Sequence, residues 1–308
     1  MKILILVFSL LSAFPLIAKD LRFAVVPKFY GVFFDQSKLG CQQAAKALDG
    51  VECIYRGPEI ADVRIQDKII TQLIKEKVDG IAVAVTQSDF LARSSMQKAK
   101  SAGIPIVTYD SDFDRDTLKK YSDLRLAYIG TDNFELGKAL AEELKQLRPN
   151  GGSLIIQSGR PDSPNLNLRI MGVRSALSGK TYKTAPGNKL KKEQGWTEAR
   201  EPTYNFDQVD RSIQQMEQAL RGQPIKSDAF IAVGGWSQND DALYRNMIAP
   251  FKEKLANKEV AVVISDASNI QLNMLRDGLA HANIGQNPSE MGKQAILTLY
   301  KIVKKQKY

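Results

Sequence analysis

The sequence predicts an α/β protein with two doubly wound parallel-sheet domains. Short apolar runs alternate with amphipathic stretches along nearly the whole chain, which is typical of parallel strands covered by helices on both faces. This alternation begins again near the middle of the chain. A length of 308 residues is also large for one core and suits two domains.

The first half of the alternation contains four apolar runs separated by amphipathic stretches. Apolar runs this short indicate strands buried on both faces, as in a parallel sheet. We predict strands at 21–26, 51–55, 80–85 and 104–109, and helices within 42–48, 63–76 and 96–102. A loop is expected at 27–35, and Gly57-Pro58 closes the second strand.

The second half repeats the pattern after a further short strand at 126–129. We predict strands at 153–157, 229–233 and 260–265, and helices at 135–147, 168–177, 209–220 and 272–278. The stretch 181–199 is polar, rich in Gly and Lys and without clear periodicity, so it is interpreted as a surface loop.

The amino terminus resembles a secretory signal. Lys2 precedes a short apolar run that ends at the small residue Ala18. A membrane anchor or a buried first helix is the alternative, but the run is shorter than the ~20 residues that a spanning helix needs. We therefore expect residues 1–18 to be a cleaved signal peptide and the mature chain to be exported and soluble.

The cysteines and the charge are interpreted in the light of export. Two cysteines in an oxidising compartment most often pair, so we expect a Cys41–Cys53 disulfide, with two buried thiols as the alternative. The net charge of +9 is spread along the chain, which favours a solvated surface over a nucleic-acid site. Neither cysteine has metal-ligand spacing around it, and we expect no metal.

Enzyme chemistry finds little support. The chain has one histidine, His281, and lacks nucleophile, metalloprotease, phosphate-loop and dinucleotide motifs. Two carboxylates across a cleft would suffice for a glycosidase, so that alternative is not excluded by motif alone. We expect no enzyme activity and no cofactor.

A series of motifs, in order, resembles the type I periplasmic solute-binding proteins, and most closely their ribose-binding branch. The motifs are VPKFYGVFF at 26–34, VDGIAVAV at 78–85, AGIPIVTYDSD at 102–112, YIGTDNFELG at 128–137, LRIMG at 168–172, NFDQVDR at 205–211, VVISD at 262–266 and ANIGQNPSEMG at 282–292. The resemblance covers nearly the whole mature chain.

This resemblance implies two ligand-binding lobes, 19–131 with 287–308 and 132–286, joined by a multi-strand hinge. The lobes are expected to close on a small sugar-like ligand by hinge motion. It implies a periplasmic monomer that delivers a monosaccharide or related polyol to the permease of an ABC importer. The alternative is a sensor protein that presents a sugar or an autoinducer-2-like ligand to a membrane histidine kinase. The resemblance leaves no role for nucleic acid, because a signal peptide stands where related repressors carry a DNA-binding helix-turn-helix.

Charged and amide side chains are the first group of candidate ligand contacts. Asp110 and Asp112 follow one predicted strand and Asp266 follows another, at the edge where parallel sheets form ligand crevices. Their alternative role is helix N-capping. Arg169 matches the family's ligand-binding R-x-x-G arginine, although it could be a surface charge. Two further candidates are Lys28, in the first loop, and Gln286, where the chain recrosses between lobes.

Aromatic side chains are the second group, because sugars present apolar C–H faces to stacking rings. Phe33 and Phe34 end the first loop, Phe206 lies in the NFDQVDR motif, and all three could instead fill the core. Trp236 marks a departure: ribose-binding proteins carry Asn-Asp directly after this strand, whereas here Gly234-Gly235-Trp236 stands there. This puts ribose itself in doubt. The segments at 26–34, 57–58 and 108–112 also resemble the autoinducer-2- and rhamnose-binding branches.

Overall fold

The computed structural model describes residues 20–308 and contains two separate β-sheets. The first sheet has five strands in the order β2-β1-β3-β4-β5. The second has seven strands in the order β12-β11-β10-β6-β8-β7, with β9 also pairing with β6. The predicted signal peptide lies outside the described residues.

The first sheet is entirely parallel within the described chain, and helices connect its strands. Its strands are β1 Leu21–Val26, β2 Val51–Tyr55, β3 Gly80–Val83, β4 Ile106–Tyr109 and β5 Ala127–Ile129. Its helices are α1 Val32–Lys46, α2 Val63–Lys75, α3 Ser88–Arg93, α4 Ser95–Ser101 and α5 Arg115–Lys120. The predicted alternation in this half is confirmed, except that α1 starts inside the expected 27–35 loop.

The second sheet is parallel apart from the β7–β8 hairpin. Its strands are β6 Gly152–Ser158, β7 Lys191–Glu193, β8 Trp196–Glu198, β9 Thr203–Tyr204, β10 Ala229–Ala232, β11 Ala261–Ser265 and β12 Ala282–Ile284. The helices around it are α6 Asn133–Leu147, α7 Pro164–Ser178, α8 Val209–Arg221, α9 Asp241–Ile248, α10 Lys252–Ala256 and α11 Asn269–Arg276. The last helix, α12 Pro288–Val303, returns to the first sheet.

Both sheets are covered on both faces, which confirms the doubly wound fold class. In β1, Phe23 and Val25 pack into one apolar cluster and Ala24 and Val26 into another on the opposite face. The strands of the second sheet divide in the same way between two clusters. We call the first sheet with α1–α5 and α12 the first lobe, and the second sheet with α6–α11 the second lobe.

Each lobe contains a pair of helices in very close contact. A Cβ atom on Gly172 of α7 would lie 2.1 Å from the carbonyl oxygen of Phe134 in α6, and one on Gly137 of α6 would lie 2.0 Å from that of Arg169. Gly40 of α1 and Gly292 of α12 form the same reciprocal contact in the first lobe. Glycine is therefore required where these backbones touch.

The prediction of a surface loop at 181–199 is wrong for its second half, where β7 and β8 form a hairpin. Trp196 and Glu198 of β8 are buried. The Arg174 guanidinium is also buried and donates to both carboxylate oxygens of Glu198, at 2.7 and 2.8 Å. This contact with a distant helix orders a segment whose own composition is polar.

The disulfide between Cys41 and Cys53 is present and joins α1 to β2, with 5.9 Å between the two Cα atoms. It ties the helix that carries Phe33 and Phe34 to an outer strand of the first sheet. Among residues 20–308, no helix is both long and apolar enough to cross a lipid bilayer.

We predict that Gly172→Ala destabilises the protein by about 1–3 kcal/mol, because the added methyl group meets backbone that cannot move aside. This loss exceeds the gain of up to about 1 kcal/mol in helix propensity. Urea unfolding monitored by circular dichroism measures the change. Gly152→Ala is the matched control, since its Cβ would have ordinary contacts from 3.4 Å outward. Equal stability of the two variants would contradict the proposed tight α6–α7 contact.

Candidate ligand-binding site

A cleft lies between the lobes at the carboxyl ends of β4 and β11. One part of it, which we call the inner cavity, has a volume of about 70 Å³ and is lined by residues from both lobes. Eight of the ten ligand-binding residues predicted from sequence line it: Lys28, Phe33, Phe34, Asp110, Arg169, Trp236, Asp266 and Gln286. The structure therefore brings most of the predicted candidates together, and their roles in ligand binding remain predictions.

Asp110 and Asp266 occupy equivalent places in the two lobes. Each directly follows a central strand, has a left-handed backbone conformation with φ of 56° and 73°, and donates its backbone N–H to the last residue of the next strand. Aspartate is among the few non-glycine residues that adopt this conformation readily. The turn directs each carboxylate toward the cavity.

Arg169 is buried at the base of the cavity and is held by groups from several elements. Its Nε donates to Asn133 Oδ1 at 2.8 Å, Nη1 donates to the Val233 carbonyl oxygen at 2.8 Å, and Nη2 donates to Gln286 Oε1 at 2.8 Å. A longer contact of 3.5 Å joins Nη1 to Ser265 Oγ. A guanidinium has five N–H donors, so within the described chain one Nη2 hydrogen is left for a ligand.

Gln286 links the arginine to the acid and to the hinge. Its Nε2 donates to Asp266 Oδ1 at 2.7 Å, and its Oε1 accepts from Thr131 Oγ1 at 2.9 Å. Thr131 lies in the connection from the first lobe to the second, and Gln286 lies in the connection back. The two connections are thus hydrogen bonded to each other next to the cavity.

Lys28 crosses the cleft. Its Nζ donates to Ser163 Oγ and Asn165 Oδ1 of the second lobe, both at 3.2 Å. Ser111 Oγ of the first lobe also donates to Asn165 Oδ1, at 3.3 Å. These direct contacts hold the lobes together over the cavity, and the ammonium keeps a third hydrogen for a further acceptor.

Phe33 and Phe34 lie on the first turn of α1 rather than on an extended loop. Phe34 is buried, packs edge-to-face against Phe29 and Phe33, and also contacts Tyr109. Phe33 is half-buried. The rings therefore pack with the core cluster and also line the cavity, and their stacking on a ligand stays a prediction.

Trp236 explains the departure from the ribose-type pattern. Its indole is buried, and a Cβ atom at position 234 would lie only 2.5 Å from the ring. Glycine at position 234 thus makes room for the indole in the space that the family's asparagine would need. The indole Nε1 donates to Asp207 Oδ1 at 3.0 Å.

Asp112 and Phe206 do not line the inner cavity. The Asp112 carboxylate accepts from Arg125 Nη2 at 2.6 Å and from Thr108 Oγ1 at 2.7 Å, which directs it away from the ligand space. Phe206 is 38% exposed, and the guanidinium groups of Arg160 and Arg211 lie 5.7 and 4.8 Å from its ring centre. These placements favour structural and surface roles for both residues.

Several lining residues were not predicted, above all Asp207 and Asn165. Asp207 follows Phe206 in the NFDQVDR motif and has a left-handed φ of 63°. A carboxylate next to a candidate aromatic residue was the available signal. Asn165 has no comparable local signal, because it lies on the first turn of α7 and reaches the cavity only through lobe packing.

Burial dominates the electrostatics of the cavity. Desolvation raises the pKa of Asp110 and of Asp207, although the nearby Lys28 opposes both shifts. Desolvation likewise lowers the pKa of Lys28 against the attraction of these two acids. Among the described residues, no protein group donates a hydrogen bond to the Asp110 carboxylate, so its oxygens are available to ligand hydroxyl groups.

A metal centre is not indicated by the described residues. Residues 20–308 contain no group of three or more His, Cys, Asp or Glu side chains that could hold a metal ion. The arrangement instead offers planar charged groups, amides and aromatic rings, which can bind hydroxyl groups and stack on apolar ring faces.

Comparison with known proteins gives one family and several relatives. The family model described as periplasmic binding protein domain matches residues 23–307. The D-allose-binding periplasmic protein of Escherichia coli is 24% identical over 273 residues, which cover 88% of this chain and 81% of that protein. The xylose/arabinose-binding protein XylF of Sulfolobus acidocaldarius is 28% identical over 153 residues. That alignment spans 48% of this chain but only 37% of the relative's length.

Among solved structures, a similar one is an ABC transporter solute-binding protein from Burkholderia graminis in complex with D-arabinose. It superposes with a TM-score of 0.77 at 27% identity, and the match covers 94% of this chain and 91% of that protein. The similarity therefore extends over both lobes.

We predict that Asp110→Asn stabilises the ligand-free protein at neutral pH. The pKa of Asp110 is raised, so the folded protein holds this proton more tightly than the unfolded chain does. The free energy of unfolding therefore decreases as the pH rises through the pKa of the folded state and Asp110 ionises. Asparagine keeps the shape and tolerates the left-handed backbone. The melting temperature should exceed that of wild type at pH 7, and the difference should shrink as the pH falls toward 4.

Asp116→Asn is the control for this experiment, because the Asp116 side chain is 94% exposed. Differential scanning calorimetry between pH 4 and pH 8 measures both variants. A destabilised Asp110→Asn variant at pH 7, or a difference independent of pH, would contradict the desolvation argument.

Proposed function

The chain belongs to the periplasmic binding protein domain family, and from that membership we propose that it captures a small sugar-like ligand between its lobes and delivers it to an ABC importer. Members of this family are solute-binding proteins rather than enzymes. A periplasmic location follows from the same relationship. The lobes are proposed to comprise residues 19–131 with 287–308, and residues 132–286.

The observation that carries this proposal is the position of the inner cavity. It lies between two lobes joined by hydrogen-bonded connections, and each lobe contributes one free or partly free carboxylate at a strand end. A ligand that contacts both lobes binds the closed form better than the open form. Binding therefore shifts the population toward closure, which a membrane partner can detect.

The chemistry of the lining supports a sugar. Asp110 offers acceptors to hydroxyl groups, Arg169 and Lys28 each keep a donor, and Phe33 and Trp236 supply aromatic surfaces. The D-arabinose bound in the Burkholderia structure and the D-allose named for the Escherichia coli relative are both monosaccharides. The Trp236 indole, in place of the ribose-type asparagine, supports a ligand other than ribose.

A thermal-shift screen tests ligand capture. Pentoses, hexoses, rhamnose, polyols and autoinducer-2 are the compounds to compare, and a ligand at about 100 times its Kd stabilises the native state by about 2.7 kcal/mol. We expect at least one sugar to raise the melting temperature by roughly 5 °C or more. No shift with any of these compounds, nor with disaccharides built from these sugars, would overturn the sugar assignment.

Arg169→Ala should abolish the shift produced by that sugar, because it removes a ligand donor and also frees Gln286 from its position. Arg245→Ala, which removes an exposed guanidinium paired with Asp241, is the matched control and should keep the full shift. A full shift retained by Arg169→Ala would show that the ligand binds elsewhere.

Deletion of the protein in its own cell distinguishes delivery from sensing. Loss of labelled-sugar uptake is the outcome expected for an importer. Unchanged uptake together with lost induction of sugar-responsive genes would instead assign the protein to a signalling receptor.

A further inference from the structure

A larger cavity of about 390 Å³, which we call the outer cavity, adjoins the inner cavity. The residues that line both are Val32, Phe33, Asn239, Asp266 and Gln286. Because these five residues border both volumes, the two cavities lie next to each other. The outer cavity lies between the amino ends of α1 and α12 on one side and that of α11 on the other, so both lobes contribute to its wall.

The outer wall carries polar side chains that are free to bind a ligand. Within residues 20–308, Gln36, Asn239, Asn269 and Ser289 have no side-chain hydrogen bond partner, and all four line this cavity. Amides and hydroxyls provide both donors and acceptors, which suits a hydroxyl-rich ligand. Apolar surface from Val32, Phe33 and Ile270 lies beside them.

The outer wall also carries almost no charge. Asp266 is the one acidic or basic side chain that lines it in the described chain. Its Oδ2 already accepts from the Gly235 backbone N–H at 3.0 Å, and its Oδ1 accepts from Gln286 Nε2. An anionic substituent would therefore find no counter-ion in this cavity, whereas a neutral group with several hydroxyls would find both donors and acceptors.

We propose that the ligand is longer than one sugar ring, with a second, uncharged sugar unit in the outer cavity. This inference rests on the proposed function and names its substrate class: a neutral disaccharide, or an oligosaccharide end of that length, rather than a free monosaccharide. The outer cavity alone falls within the range of about 300–1,000 Å³ that is typical of ligand sites. The first ring contacts Asp110, Arg169 and Trp236, which line the inner cavity.

Isothermal titration with matched sugar pairs tests this inference on the full mature protein. The pairs are D-xylose with xylobiose, L-arabinose with arabinobiose, D-glucose with cellobiose, and D-galactose with β-1,4-galactobiose. At least one disaccharide should bind about tenfold or more tightly than its own monosaccharide, a factor that one or two additional hydrogen bonds supply.

Two variants locate the second unit. The double variant Gln36→Ala with Asn269→Ala removes exposed side chains that line only the outer cavity, and it should weaken disaccharide binding about tenfold while leaving monosaccharide binding within twofold. Asn269→Trp fills the cavity and should have a larger effect in the same direction. Asn257→Trp, at an exposed asparagine outside both cavities, is the matched control.

The outcomes separate this inference from the proposed function. If every monosaccharide binds as tightly as its disaccharide or more tightly, the proposed second sugar unit is wrong, while sugar capture stands. The same conclusion follows if a preference for a disaccharide survives in both outer-cavity variants. Absence of binding for all eight sugars would overturn the inference together with the sugar assignment. Unchanged monosaccharide affinity in the variants shows that they remain folded.

Discussion

The buried guanidinium of Arg169 is the interaction on which the cleft depends. A buried charge is tolerated only when its donors are satisfied, and Arg169 meets this demand with groups from α6, from the end of β10 and from the returning hinge connection. Its position therefore requires that three separate parts of the second lobe meet at one point. Because Gln286 also bonds Thr131, the same arginine is connected to both crossings between the lobes.

The helix that carries Arg169 is positioned by backbone contact rather than by side-chain packing. Gly137 and Gly172 bring α6 and α7 together, just as Gly40 and Gly292 bring α1 and α12 together in the first lobe. Asp110 and Asp266 are a second feature shared by the lobes. The two lobes thus share these structural features, but other residues that line the inner cavity differ between them. The first lobe contributes Lys28 and Phe33, and the second contributes Trp236 and Asp207.

Much of the fold could be predicted from sequence because buried parallel strands appear as continuous apolar runs, as in GIAVAV and VVIS. The β7–β8 hairpin could not, since the buried Glu198 of this hairpin pairs with Arg174, which lies on α7 and is distant in sequence. In the site, Asp110 and Asp266 were correctly expected at the cavity because each follows a parallel strand, where ligand crevices form. Asp112 follows the same strand as Asp110, but its carboxylate pairs with Arg125 instead of facing the cavity. The sequence did not indicate this pairing, because Arg125 lies thirteen residues further along the chain.

The contact between Gly234 and Trp236 also limits how this pocket can change over generations. A side chain at position 234 would meet the indole in its present position, so an asparagine there requires the ring to move or to be lost. The two positions are therefore coupled, and a change from this pocket toward a ribose-type pocket involves both of them. Loss of the indole before the gain of the amide is the order that this contact favours.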